Sequence, residues 1–145
     1  MQTRYFALVF GIIYLIVGLA GLIPGLVIRT PDLPPIAIET LYGRLFGLFP
    51  VNILHTLVHL VLGAWGIAAY RAYRDSKLYA RSLAIIFGIL FLIGIIPAIN
   101  TLFGLVPLFG HDIWLHALSA VIAAYFGWVA APETTVDVTR TTVRH

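Results

Sequence analysis

Residues 5–28 read YFALVFGIIYLIVGLAGLIPGLVI, a run without a single charged side chain. A helix needs about 20 mostly apolar residues to cross the hydrocarbon of a bilayer, and this stretch meets that length. Three others do the same: 51–70 (VNILHTLVHLVLGAWGIAAY), 80–99 (ARSLAIIFGILFLIGIIPAI) and 112–131 (DIWLHALSAVIAAYFGWVAA). The expected fold is an all-α integral membrane domain of four transmembrane helices over residues 1–131. Residues 132–145, rich in Thr and charge, read as a flexible cytoplasmic tail.

Composition agrees with the spans. Only 10% of the 145 residues are charged and 61% are hydrophobic, with a mean hydropathy of +1.00. A soluble domain carries about 25% charged residues, and a water-facing surface cannot be built from so few. Arg4 ahead of an apolar run also fits a secretory signal. That run exceeds the usual h-region of about 7–15 residues, and no small-x-small cleavage site follows, so span one is expected to be retained.

Charge sets the expected orientation. Arg4, Arg71, Arg74, Lys77, Arg81, Arg140 and Arg144 fall on one side if the spans alternate, leaving only Arg29 and Arg44 on the other. The excess of basic residues in short loops marks the cytoplasmic side. Both termini and the middle loop are therefore expected in the cytoplasm of a bacterial cell. The partner this composition implies is the lipid bilayer, with a homo-oligomer or larger membrane complex open and no nucleic-acid patch present. Arg44 is expected to pair with Glu39 or to shield the outer mouth.

The chain also matches itself. Phe10-Gly11-Ile12-Ile13 aligns with Phe87-Gly88-Ile89-Leu90, and Arg4 meets Arg81 in the same frame. Leu45-Phe46-Gly47-Leu48-Phe49-Pro50 aligns with Leu102-Phe103-Gly104-Leu105-Val106-Pro107; continued ungapped, His55 falls on Asp112 and His59 on His116. Two tandem helical hairpins, 4–70 and 81–131, would be related by a pseudo-twofold axis along the membrane normal. Residues 41–49 and 101–109 then read as short interfacial helices or re-entrant turns ahead of spans two and four. Asn52 is expected to cap span two, and Gly110 or Asp112 span four.

His55 and His59 lie one helical turn apart, as do Asp112 and His116, so each pair shares a face. Gly63 and Gly66, and Ala120 and Ala123, continue those faces deeper, and small residues at this period suit close helix contacts in lipid. Three imidazoles and a carboxylate, His55, His59, His116 and Asp112, suit zinc, iron or copper(II). Both helix N-termini point toward the cluster and oppose a cation, Asp112 offsets part of that, and the same dipoles favour neutral imidazoles with free lone pairs. Two alternatives stand beside the metal. A haem could be ligated by His59 and His116, giving an electron carrier. The histidines could instead tie the hairpins together in a non-catalytic structural or partner subunit.

Other features exclude more than they suggest. There are no cysteines and the only methionine is Met1, so thiolate sites, disulfides and a thioether copper(I) path are excluded. Enzyme activity has no positive support: no phosphate-binding loop and no nucleophile–base pair occurs. His111 reads as a rim residue and His145 as a solvated tail residue. Trp65, Trp114 and Trp128 read as interfacial anchors.

Three motifs carry a family resemblance: Arg-Tyr-Phe-Ala-Leu-Val-Phe-Gly-Ile from Arg4, Phe-Pro-Val-Asn-x-x-His-x-x-x-His-Leu from Phe49, and Asp-Ile-Trp-Leu-His from Asp112. Together they resemble the bacterial membrane proteins grouped as domain of unknown function 4383, over most of the chain. The resemblance implies a small multi-helix membrane protein and no assigned activity.

Overall fold

A computed structural model describes residues 2–131 of the chain. It contains four α-helices: α1 (Gln2–Gly21), α2 (Ile53–Ala69), α3 (Tyr73–Gly94) and α4 (His111–Ala124). The last continues as a π-helical turn, Tyr125–Val129. α1 packs most extensively on α2, and α3 on α4. The helices α1, α3 and the continuous stretch His111–Val129 are long and apolar enough to cross a membrane, while α2 is a shorter apolar helix of 17 residues. At 1.5 Å per residue it spans about 26 Å, near the lower limit for the hydrocarbon core. The exterior is lined with side chains such as Ile16, Val61 and Val121, each more than half exposed. Such a surface is made for lipid, and the chain is a membrane protein.

The helix ends differ from the predicted spans for local reasons. α1 stops at Gly21, seven residues short of the apolar run, because Pro24 and Gly25 turn the chain through a 3₁₀ segment, Pro24–Leu26. α3 begins before the apolar run and takes in Arg74, Asp75 and Lys77. It ends at Gly94, ahead of Pro97, which excludes the preceding residues from helix.

The all-helical expectation fails between α1 and α2. Strands β1 (Val27–Ile28), β2 (Gly43–Leu45) and β3 (Phe49–Val51) form an antiparallel sheet in that order. Val27 pairs with Leu45, and Leu45 in turn with Phe49. Pro50 lacks an N–H and is tolerated because β3 is an edge strand. Phe46 (φ +53°) and Gly47 (φ +75°) form the tip of the β2–β3 hairpin, closed by Leu48 N–H donating to the Leu45 carbonyl at 3.1 Å. Two successive positive φ angles are what a tight hairpin turn demands. Residues 101–109, also read as helix or re-entrant turn, form successive turns without helix. Arg44 pairs with Asp32 at 2.7 Å, and Glu39 is taken by Arg29 at 2.7 Å.

The α1–α2 contact depends on missing side chains. A Cβ at Gly11 would stand 2.7 Å from the Ile67 amide nitrogen and 2.9 Å from the Gly63 carbonyl oxygen; one at Gly63 would meet the Leu15 amide at 2.7 Å. Backbone therefore meets backbone, the close approach that small residues permit in lipid. Below this crossing, Phe6 stacks on Phe126 at 4.7 Å and the fully buried Tyr79 donates to the Leu62 carbonyl at 3.1 Å. Trp65, expected at the interface, packs edge-on against Tyr79 at 5.2 Å.

Gly11→Leu is expected to destabilise the protein by about 1–3 kcal/mol or more, the usual cost of overpacking. Gly88→Leu should cost nothing by packing, since nothing lies within 4 Å of a Cβ there. Thermal unfolding of both variants in one detergent checks the contrast; equal losses would contradict this packing.

Candidate metal centre

The site forms where the N-termini of α2 and α4 meet the α1–α2 and α3–α4 connections. Asn52 caps α2 as expected, its side-chain carbonyl accepting from the His55 amide at 3.0 Å. Its amide nitrogen does more, donating to the Ile38 carbonyl at 3.0 Å and the Leu105 carbonyl at 2.7 Å. One fully buried side chain thus joins both connections to the first turn of α2, and His55 is held there. α4 is capped by Gly110, at φ +67°, without a side-chain cap, which leaves Asp112 free to turn inward from its first turn.

His55, Asp112 and His116 each bring one ligand atom to within 4.8 Å of the other two, and all three residues are buried. The Asp112 Oδ2 lies 3.5 Å from His116 Nδ1 and 3.9 Å from His55 Nε2. His59 does not join this set. It is buried one turn deeper and stacks on His55 with centroids 4.6 Å apart. His111 is exposed and meets Phe49 edge-on, a rim position. His145 and the predicted tail, 132–145, lie outside the described residues.

Two aromatic residues that sequence reasoning missed complete the surroundings. Tyr14 stacks on His59 at 5.6 Å and Phe87 on His116 at 5.3 Å, while Tyr14 and Phe87 meet at 5.5 Å. With His55 6.1 Å from His116, five rings form a closed circuit contributed by α1, α2, α3 and α4. The Tyr14 hydroxyl also donates to Ser119 Oγ at 3.3 Å. The available signals were slight: a hydroxyl in an apolar span, and a serine three residues after His116 on the same face.

Polar satisfaction singles this cluster out. Asp112 Oδ2, His116 Nδ1, His55 Nδ1 and His59 Nδ1 are all buried without a hydrogen-bond partner among the described residues. Buried side-chain polar atoms are paired in the large majority of cases, and an orphan calls for an ion, a water or a functional role. Four such atoms gathered in one place make the cluster a candidate for an ion or ordered water. Around a tetrahedral ion with bonds of about 2 Å, neighbouring donors stand roughly 3.3 Å apart. The observed 3.5 and 3.9 Å are close to that spacing, and two nitrogens with one oxygen are a donor set that zinc, iron or copper(II) accepts.

Fold and cluster together define a helical membrane protein with a buried His/Asp group able to hold a metal ion. A family model, domain of unknown function (DUF4383), matches residues 4–129, and the chain belongs to that family. No curated protein and no solved structure matches it.

Asn52→Leu is expected to cost about 2 kcal/mol or more, from the lost cap and two buried carbonyls left unpaired. Asn52→Asp keeps the cap acceptor and loses both donations, so it should fall between wild type and Asn52→Leu. Unfolding midpoints for the three proteins give the order.

Proposed function

We propose that the protein binds one divalent transition metal, zinc foremost, through His55, Asp112 and His116 near the outer membrane face. The observation that carries the reading is the convergence of three buried ligand atoms within 4.8 Å, from two helices far apart in sequence. Three protein ligands leave a position open, the arrangement of a zinc that meets a further ligand, whereas purely structural zinc sites are closed by four. His59 and His116 as haem ligands fit less well, since His55 lies against both rings within the aromatic circuit. A flat macrocycle between them would have to displace it.

The same reading takes the chain as four spans in two tandem hairpins with both termini cytoplasmic. Support for the duplication comes from the two matched arginines. Arg4 Nε donates to the Tyr70 carbonyl at 2.8 Å, and Arg81 Nε to the Gly127 carbonyl at 2.9 Å. Gly127 is the residue that falls on Tyr70 when the second block is continued ungapped. The matched turns agree too, with positive φ at Phe46-Gly47 and at Phe103-Gly104. One arginine brace and one turn per hairpin support descent from a single unit.

Protein purified in mild detergent and exposed to zinc should carry about one ion per chain by elemental analysis. His116→Phe preserves the stack on Phe87 and removes a ligand, so it should lose the ion while still folding. Retention of the ion by His116→Phe and by Asp112→Asn would refute the site. A Soret band in the wild type would favour haem instead.

Topology can be tested cleanly because the chain has no native cysteine. In intact cells a membrane-impermeant maleimide should label Pro35→Cys, and should reach Asp75→Cys only after permeabilisation. The reverse pattern would invert the orientation proposed here.

A further inference from the structure

α1 and α4 do not pack closely on each other. A cavity of about 400 Å³ occupies the cleft between them, roofed by the β2–β3 hairpin. That volume lies within the range of small-molecule sites, about 300–1,000 Å³. Its mouth lies between Ile13, Phe46 and Leu118, which are 48%, 56% and 59% exposed on the lipid-facing surface. Its inner end is different. His59, Asp112, Tyr14 and Ser119 line it, all buried, and His59 Nδ1 has no hydrogen-bond partner.

We propose that this cleft binds a membrane quinone, a flat ring with carbonyl acceptors and an apolar tail, entering sideways from the bilayer. Three features select that chemistry. The mouth is apolar and opens toward lipid, so the ligand must dissolve in the bilayer and leave its tail there. The inner end offers an imidazole nitrogen and a Tyr–Ser hydroxyl pair, which suit an uncharged acceptor. Among the described residues no Lys or Arg lines the cavity, and the Asp112 carboxyl does, so a fatty-acid or phospholipid anion would meet no cationic side chain there and would have a carboxyl group for a neighbour. Phe10, Phe46 and Phe49 supply aromatic walls, and aromatic rings prefer the offset-stacked or edge-on contacts that a flat ring accepts. The inference does not depend on an ion at His55, Asp112 and His116.

A photoreactive azido-benzoquinone with a ten-carbon tail, added to the full chain in lipid nanodiscs, tests it by mass-spectrometric mapping. Labelling should concentrate on the facing sides of α1 and α4. A decyl-benzoquinone should compete it away, and decylbenzene, which lacks the carbonyls, should not. His59→Phe keeps the ring stack and removes the donor, and should weaken labelling about tenfold. Leu118→Trp should block the mouth; Ile13→Trp on the opposite wall serves if that variant does not fold. Labelling spread over all lipid-facing helices, competition by decylbenzene, or indifference to the blocking tryptophan would each overturn the proposal. Elemental analysis of the same samples separates the two sites, since quinone labelling of metal-free protein that takes up no zinc would sink the metal reading alone.

Discussion

The three hydrogen bonds of Asn52 fix the end of the molecule where the His/Asp cluster lies. Together with the Ala37 amide on the Gly104 carbonyl and the Ile53 amide on the Thr40 carbonyl, they join the connection after α1, the turns after α3 and the first turn of α2 in an apolar setting. There, an unpaired carbonyl costs several kcal/mol and water is scarce. With them, the carbonyls of Ile38 and Leu105 are satisfied by one side chain whose own carbonyl starts the helix. The position of His55, three residues on, is a consequence. So is the brevity of α2, which cannot extend backward past a capped residue. These loops are therefore part of the cluster's scaffold, and the long connection between α1 and α2 is fixed at one end by a residue that also holds His55.

The packing below works by the opposite device. Gly11, Gly63 and Gly66 remove side chains so that α1 and α2 touch backbone to backbone. Between α1 and α4, by contrast, a cavity lined by His59 remains. Gly88 aligns with Gly11 in the sequence match, yet it faces open space. If the hairpins arose by duplication, the crossing was not kept in both. The asymmetry extends to the cluster: His55 and Asp112 occupy matched positions with different chemistry. Two histidines there would leave the cluster with three neutral donors and no carboxylate, and two aspartates would bury like charges. The mixed pair sets one carboxyl against two imidazoles.

The sequence made the apolar helices legible because a membrane span is written in one variable, hydropathy summed over about 20 residues. Its ends were harder. Span one was drawn to Ile28, since Val27 and Ile28 are as apolar as any helix residue, but they pair as strand with Leu45 and Arg44. Their hydrophobicity says nothing of the backbone, nor of burial, since Val27 is only partly buried and Ile28 is exposed. The sheet was missed for the same reason, as three strands of two or three residues leave no alternation to detect. The His/Asp spacing showed which residues share a helix face, and three of the four meet. Spacing on one helix could not show that His55 and not His59 reaches Asp112, because that depends on how α2 is set against α4. Tyr14 and Phe87 were invisible as partners, since an aromatic in an apolar span carries no sign of what it touches.

The closed circuit of five rings also bears on how the cluster would respond to an ion. Donors 3.5 and 3.9 Å apart, within a set that spreads to no more than 4.8 Å, need only small movements to reach a common centre. The stacks on Phe87 and on His59 hold the two imidazoles in place beside Asp112. Preorganisation of that kind lowers the ordering cost of binding. His59, stacked between Tyr14 and His55, would register a movement of His55 on one face while its Nδ1 remains on the wall of the α1–α4 cleft. An ion at one site and a ligand in the other would then act on a shared ring, a physical route for coupling between them.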